Sequence, residues 1–428
     1  MSSALVEAAL GRDIPSLLAP GRPRLPKRRL DGTHRVVAPE ETLERVRPYL
    51  PRLGITRLAD ITGLDTIGIP VTLAVRPNGR VLSVSSGKGL TATSALVSGL
   101  MESLELHHAE VEWSPPSLRR SYAEMRREYV VPAKQDLPLA KAAPFPEHWP
   151  YEWTWGWDLI GQQSAALPVS MIHMGNRSTR IHDLFSFQIT SNGLASGNTA
   201  AEAVTAGLLE VIERDAIACH TEAWRHGAVP PLVDLSTVEY PTVRALTARL
   251  DDADIVVLLF DCSVDTGVPV YWANIVDPHQ LVPGTFSGYG AHLDPEIAMT
   301  RAITEAVQAR TVTVAGSRDD IYRHREALRR AHSGSDEGWR STAASAPAAP
   351  APPPSHAGYT FEADTETLLD RLKSAGLERA IVVDLSTQWC PATVVKIVVP
   401  GLEGYRFENY EPGHRARSFV SARGGARS

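Results

Sequence analysis

Cysteine is scarce in this chain: three residues in 428, Cys219, Cys262 and Cys390, far apart and with no CxxC pair. That excludes a disulfide framework and a cysteine-rich zinc site, and it fits a reducing cytosol. No run approaches the roughly 18 uninterrupted apolar residues of a membrane span. The N-terminal stretch lacks the order of a signal peptide, because its basic cluster Lys27, Arg28 and Arg29 follows the apolar residues. A basic excess is missing too. The 43 Lys and Arg stand against 49 Asp and Glu, a formal charge of −6, which argues against a nucleic-acid binder. Aromatics make up only 7%, so the core is mostly aliphatic. The familiar nucleotide loops are absent: Ser85-Ser86-Gly87-Lys88-Gly89 has neither the spacing nor the terminal Ser/Thr of GxxxxGK[ST]. There is no HRD or DFG signature, no GxGxxG after a strand, and no HExxH.

What remains is an ordinary globular composition, 43% hydrophobic and 21% charged. Residues 1–30 read as a mobile Pro- and Arg-rich arm. The run APEETLERVRPYLPRLG reads as a short helix closed by Pro51 and Gly54. TRLADIT, IPVTLAVRP and RVLSVSSG read as strands, with a Pro-Asn-Gly turn at 77–79 between the last two. Long helices are expected from about Thr91 to Glu112, from Thr199 to Ala223, and from Asp294-Pro295 past Arg310, with loop and excursion over 114–150. AALPVSMIH is strand-like, and DIVVLLFDCS and VPVYWANIV look like paired strands. Residues 333–358, with SAPAAPAPPPSHAG, read as a disordered linker or surface insertion. A helix (TLLDRLKSAG) and two strands (AIVVDLS, TVVKIVVPG) follow, and residues 416–428 read as a tail. The mixture points to an α+β (mixed α/β) fold. Residues 31–332 form its core and 359–415 its C-terminal part.

The three long helices carry the signal. Ser98, Glu102 and Glu105 fall at i, i+4 and i+7, on one stripe of the first. Arg301, Glu305 and Gln308 repeat that spacing in the third, with Arg310 two further on. The second places Glu202, Glu210 and Glu213 on one stripe, followed by Arg214, with apolar residues on its other side. Amphipathic helices with solvated acidic faces would look similar. Here, however, no Lys stands at i+4 from these carboxylates, and the second helix is apolar around most of its girth. Clustered carboxylates without a Cys/His set suggest Mg2+ rather than zinc. Arg214, Arg301 and Arg310 are suited to phosphate oxygens. The loop TSNGLASGN, ending at Asn198, offers backbone N–H groups at a helix N-terminus, or is simply a capped tight turn. His107, His108, His182, His220 and His292 read as structural, and Cys219 and Cys262 as packed in a core.

SGKGLTATSALVSGLMESLE, SNGLASGNTAAEAVTAGLLEVIERDA and GAHLDPEIAMTRAITEAVQAR, in this order, resemble the YcaO proteins. GTHRVVAPEETL and GITRLADITGLDTIGIPV look like the branch that often works with a TfuA-type partner. The resemblance implies a YcaO-type ATP-binding fold whose sheets are flanked by the long motif helices. It implies ATP and Mg2+ as cofactors, and a ribosomally made precursor peptide as substrate. Its backbone amide would be O-phosphorylated and converted to a thioamide, an azoline or an amidine. By motif, Glu102, Glu202, Glu213 and Glu305 would hold Mg2+. Arg35, Thr42, Ser98, Glu105, Asn198, Glu210, Arg214, Arg301, Gln308 and Arg310 would contact ATP. Ala195 stands where relatives can carry a hydroxyl, so it is assigned no contact. Azoline-forming members typically end in PxPxP; here the proline run is internal and the chain ends GGARS, which argues against azoline formation, and the complete carboxylate set with the N-terminal likeness points to thioamide formation. No leader-binding domain is visible, so a TfuA-like or other partner is expected to deliver substrate. A homodimer is a further implication of the resemblance. The reading from another class is an ATP-binding accessory or scaffold protein without chemistry.

Overall fold

A computed structural model describes residues 2–10, 13–175, 186–187, 190–279, 281–282, 284–317, 336–404 and 410–424. His182 lies outside the described residues. The chain folds into two compact units built from interleaved segments. One gathers Met1–Lys27, Glu105–Cys219 and Gly358–Gly425; the other gathers Arg28–Leu104 and His220–Ala357. Helices and sheets are mixed in both, as the sequence pattern predicts. Among the described residues no helix is long and apolar enough to cross a membrane.

The unit containing Glu105–Cys219 is built on one antiparallel sheet. Strands Leu118–Ser121, Pro150–Asp158, Ile381–Asp384, Thr393–Val398 and Leu194–Gly197 lie side by side in that order, and Gln163–Pro168 also pairs with Pro150–Asp158. The strand expected from 165 to 173 therefore ends at Pro168, and a short helix, Val169–Ile172, takes over. Trp153 and Trp155 are fully buried on the long strand. The excursion at 114–150 holds a helix, Tyr122–Glu128, opened by a Ser121/Glu124 capping box. The N-terminal arm is tied down rather than loose. Helix Ser2–Leu10 packs on strand Pro150–Asp158, and the buried Lys27 ammonium donates to Asp364 at 2.5 Å. The C-terminal stretch is helical from His414 to Gly424.

The other unit carries two three-stranded antiparallel sheets. Arg57–Asp60, Val71–Val75 and Val84–Lys88 form one; Val256–Asp261, Val270–Val276 and Thr285–Ala291 form the other. The hairpin around 77–79 and the pairing of 256–261 with 270–276 follow the strand patterns. Helix Pro295–Ala315 is buried along most of its length and packs on Thr285–Ala291. Asp294 caps it and Pro295 occupies its first turn. The Ala/Pro-rich segment also has structure. Helix Asp336–Ser345 precedes it, the Pro347 carbonyl accepts from Leu232 N–H, and Ala349 N–H donates to the Leu232 carbonyl. Proline cannot donate but its carbonyl still accepts, so a proline-rich strand can lie along an edge without burying apolar area.

Gly288 and Gly290 lie where a Cβ would come within 2.1 Å of the helix backbone at Ala306 N and Ala298 O, respectively. Gly288→Ala should therefore cost roughly 1–3 kcal/mol or more by overpacking, read as a lower urea midpoint. An unchanged midpoint would contradict this packing. Removing one partner of the buried Lys27–Asp364 pair by Asp364→Ala should cost about 3–5 kcal/mol in the same measurement.

Candidate functional site

The three motif helices form where the sequence places them. The first is Ala92–His107, followed by a π-helical turn at His108–Glu112; the second is Ala200–Arg225; the third is Pro295–Ala315. Close packing lets the first lie on strand Val84–Lys88: a Cβ on Gly87 would sit 2.1 Å from Gly99 N.

In the unit of Arg28–Leu104 and His220–Ala357, Arg301, Glu305, Gln308 and Arg310 project from the third motif helix. Gln308 Nε2 donates to Ser86 Oγ at 2.9 Å, and Lys88 Nζ donates to Glu305 Oε2 at 2.5 Å. Helical spacing alone could not reveal Lys88 as the cation opposite Glu305. It stands in the SSGKG run that fails as a phosphate loop. Arg310 is engaged internally. Its guanidinium is 3% exposed and reaches Asp65 at 3.0 Å and Asp277 at 3.4 Å, with Thr311 also donating to Asp65. Arg310, which the resemblance assigns to ATP, is thus paired with two buried carboxylates. Ser98 and Glu102 are half-buried on the first motif helix. Thr42 is buried, with its hydroxyl toward the Ala38 carbonyl, and Arg35 is exposed.

In the unit containing Glu105–Cys219, Glu105 Oε1 accepts from Ser196 Oγ at 2.6 Å. Glu202 is buried at the start of the second motif helix and accepts from Asn198 N at 3.0 Å and Asn198 Nδ2 at 3.3 Å; Thr199 Oγ1 accepts from Glu202 N. This is a cap that also fixes the Asn198 side chain. Along the helix, Arg214 Nε lies 3.8 Å from Glu210 and 3.9 Å from Glu213. Glu213 is almost fully buried, whereas Glu210 keeps about a quarter of its side chain exposed. Ala195 is buried within strand Leu194–Gly197. Asp215 follows Arg214 and is fully buried; burial pushes its carboxyl up, while two 2.9 Å bonds from Arg415 pull it down. His107 and His108 are held by Glu112 and Thr387 at 3.3 and 3.2 Å, and His108 stacks on Trp389, as structural histidines do.

The donor set is oxygen-rich. Among the described residues no three His, Cys, Asp or Glu side chains converge to hold a metal by themselves. Mg2+ usually takes one or two carboxylates and fills its octahedron with water and phosphate oxygens. The carboxylates present therefore fit an ion that arrives with a polyphosphate, rather than one held in an all-protein cage.

The fold resembles two solved structures. A heterocyclase in complex with substrate and cofactor superposes with a TM-score of 0.74 at 21% identity, over 92% of this chain and 55% of that one. The chain thus spans about half of that protein's length. YcaO from Methanopyrus kandleri, bound with AMPPCP and Mg2+, gives a TM-score of 0.65 at 24% identity, over 89% of this chain and 98% of that one. In sequence, an uncharacterised protein in the tfuA 3' region of Rhizobium leguminosarum bv. trifolii is 34% identical over 394 residues, covering 87% of this chain and 89% of that protein. The family model described as "YcaO cyclodehydratase, ATP-ad Mg2+-binding" matches residues 86–403. With that match across most of its length, the chain belongs to the YcaO family, whose cofactors are ATP and Mg2+.

Proposed function

We propose that this protein uses ATP and Mg2+ to activate a backbone amide of a ribosomally made precursor peptide for thioamide formation, with a TfuA-like partner. One observation carries the reading: the full Glu/Arg set stands on the three motif helices, and none of its carboxylates has been replaced by an apolar residue. The Rhizobium relative, described by its place in the tfuA 3' region, supports the choice of partner.

The residues have distinct tasks in this reading. Arg214 and Arg301 hold phosphate oxygens, for which a guanidinium's forked donors are suited. Glu102, Glu202, Glu213 and Glu305 supply the metal oxygens. Lys88 neutralises Glu305 now, so a divalent ion at Glu305 must displace or share that ammonium. Asn198 is set by Glu202 at the head of the second motif helix, where backbone N–H groups favour an anion. Ser98, Glu105, Glu210, Gln308, Arg35 and Thr42 complete the nucleotide contacts, and Arg310 fixes the third motif helix from within. When bound, ATP would supply the phosphoryl group that makes the amide oxygen a leaving group, and an external sulfide would bring the sulfur that replaces it as phosphate departs. The protein itself contributes position and charge and needs no side-chain nucleophile.

Co-expression with a neighbouring precursor gene and the partner, followed by mass spectrometry, should show sulfur in place of one amide oxygen. Loss of water would move the reaction to azoline or amidine chemistry. An unmodified peptide with nucleotide still bound would favour an accessory role. Glu305→Gln and Glu213→Gln should each lower Mg2+-dependent nucleotide affinity by at least tenfold, the loss of one charged contact. Titration calorimetry with wild-type affinity retained in both would remove these carboxylates from the site.

A further inference from the structure

A buried lysine that this chemistry does not use lies in the unit containing Glu105–Cys219. Lys396 stands in the interior of the sheet, on strand Thr393–Val398. Its side chain is fully buried, and its Nζ donates to the Thr190 carbonyl at 2.5 Å. Its strand neighbours Val383 and Leu194 are apolar. The charge that acts on it is that of Glu210, from the second motif helix. The next residue repeats the grip: Ile397 N donates to the Gly193 carbonyl at 2.7 Å. Gly193 has φ +77°, and a Cβ there would lie 2.3 Å from the Ile397 carbonyl oxygen. Two consecutive residues of one strand therefore clasp the start of the glycine-rich loop whose far end is Asn198.

We propose that Lys396 is a positioning residue for the nucleotide loop: its buried ammonium, bonded to Thr190 and attracted by Glu210, holds the turn at residues 190–193 from which strand Leu194–Gly197 leads to Asn198. This rests on the nucleotide reading of the same loop. Sheets rarely bury a lysine where Leu or Met would pack, because the charge is costly without compensation. Burial lowers the ammonium's pKa to about 8, against the opposing pull of Glu210. The charge that holds the loop is thus present at neutral pH and lost as pH rises through about 8, when the charge-assisted bond to Thr190 becomes a weaker neutral one. A bound polyphosphate adds negative potential nearby and favours the charged form, so binding near pH 8 takes up a fraction of a proton.

The test uses the full-length protein, Mg2+ and a non-hydrolysable ATP analogue in titration calorimetry from pH 7 to 9.5. Wild-type affinity should fall roughly tenfold across that range, the worth of one charge-assisted bond. Lys396→Met should bind roughly tenfold more weakly at pH 7 and vary little with pH. Lys396→Arg stays charged throughout and should restore binding with a flat profile. A wild-type slope that persists in Lys396→Met, or in Lys396→Arg if the methionine variant does not fold, would overturn the proposal. Amide hydrogen exchange without nucleotide separates this inference from the site reading. Residues 190–193 should exchange faster in Lys396→Met than in wild type at the same pH, even if neither binds nucleotide. Equal exchange would sink the loop-positioning role on its own.

Discussion

The geometry of the Arg301–Arg310 motif depends on how closely a helix can lie on a sheet. Gly288 and Gly290 remove two side chains from strand Thr285–Ala291, and the backbone of helix Pro295–Ala315 settles into the space. Dispersion and apolar burial along that contact are large because no side chain keeps the two backbones apart. The core of this unit gathers around it: Ala298, Ala302, Ala306 and Val307 from the helix, Tyr271, Ala273 and Ile275 from the neighbouring strand. A helix seated this firmly cannot rotate. Gln308 therefore meets Ser86 and Glu305 meets Lys88 in fixed register, while Arg310 points inward to Asp65 and Asp277.

Charge is balanced across the fold rather than along the helices. No basic residue follows the motif carboxylates at i+4 except Arg214 after Glu210, so the pattern resembles an uncompensated acidic stripe. Partners come from elsewhere in the chain: Lys88 from a strand for Glu305, and Ser196 from strand Leu194–Gly197 for Glu105.

Much of this was legible in the residues. The three helices, the hairpin at 71–88 and the paired strands at 256–276 follow from periodicity and turn chemistry, because those signals are local. The Glu/Arg spacing on those helices is legible for the same reason. Tertiary compensation was not legible. Lys88, Lys396, Asp65 and Asp277 carry no local mark, since their importance comes from what lies opposite them after folding. The strands Ile381–Asp384 and Thr393–Val398 were recognisable as strands, but nothing local placed them between Pro150–Asp158 and Leu194–Gly197. Composition also misjudged the ends and the Ala/Pro segment. Arg and Pro suggest mobility, yet Lys27 finds Asp364 and Pro347 finds Leu232.

The central position of those two late strands has a consequence for biosynthesis. Ribosomes deliver the chain from its N-terminus, so strands Pro150–Asp158 and Leu194–Gly197 emerge long before the pair that belongs between them. Until about residue 400 has left the exit tunnel, each has an open edge, the kind of surface on which nascent chains mispair. The loop that bears Asn198 also has no strand to clasp it until Lys396 and Ile397 arrive. A chain interrupted within its last few dozen residues would thus lose the middle of a sheet rather than a peripheral strand.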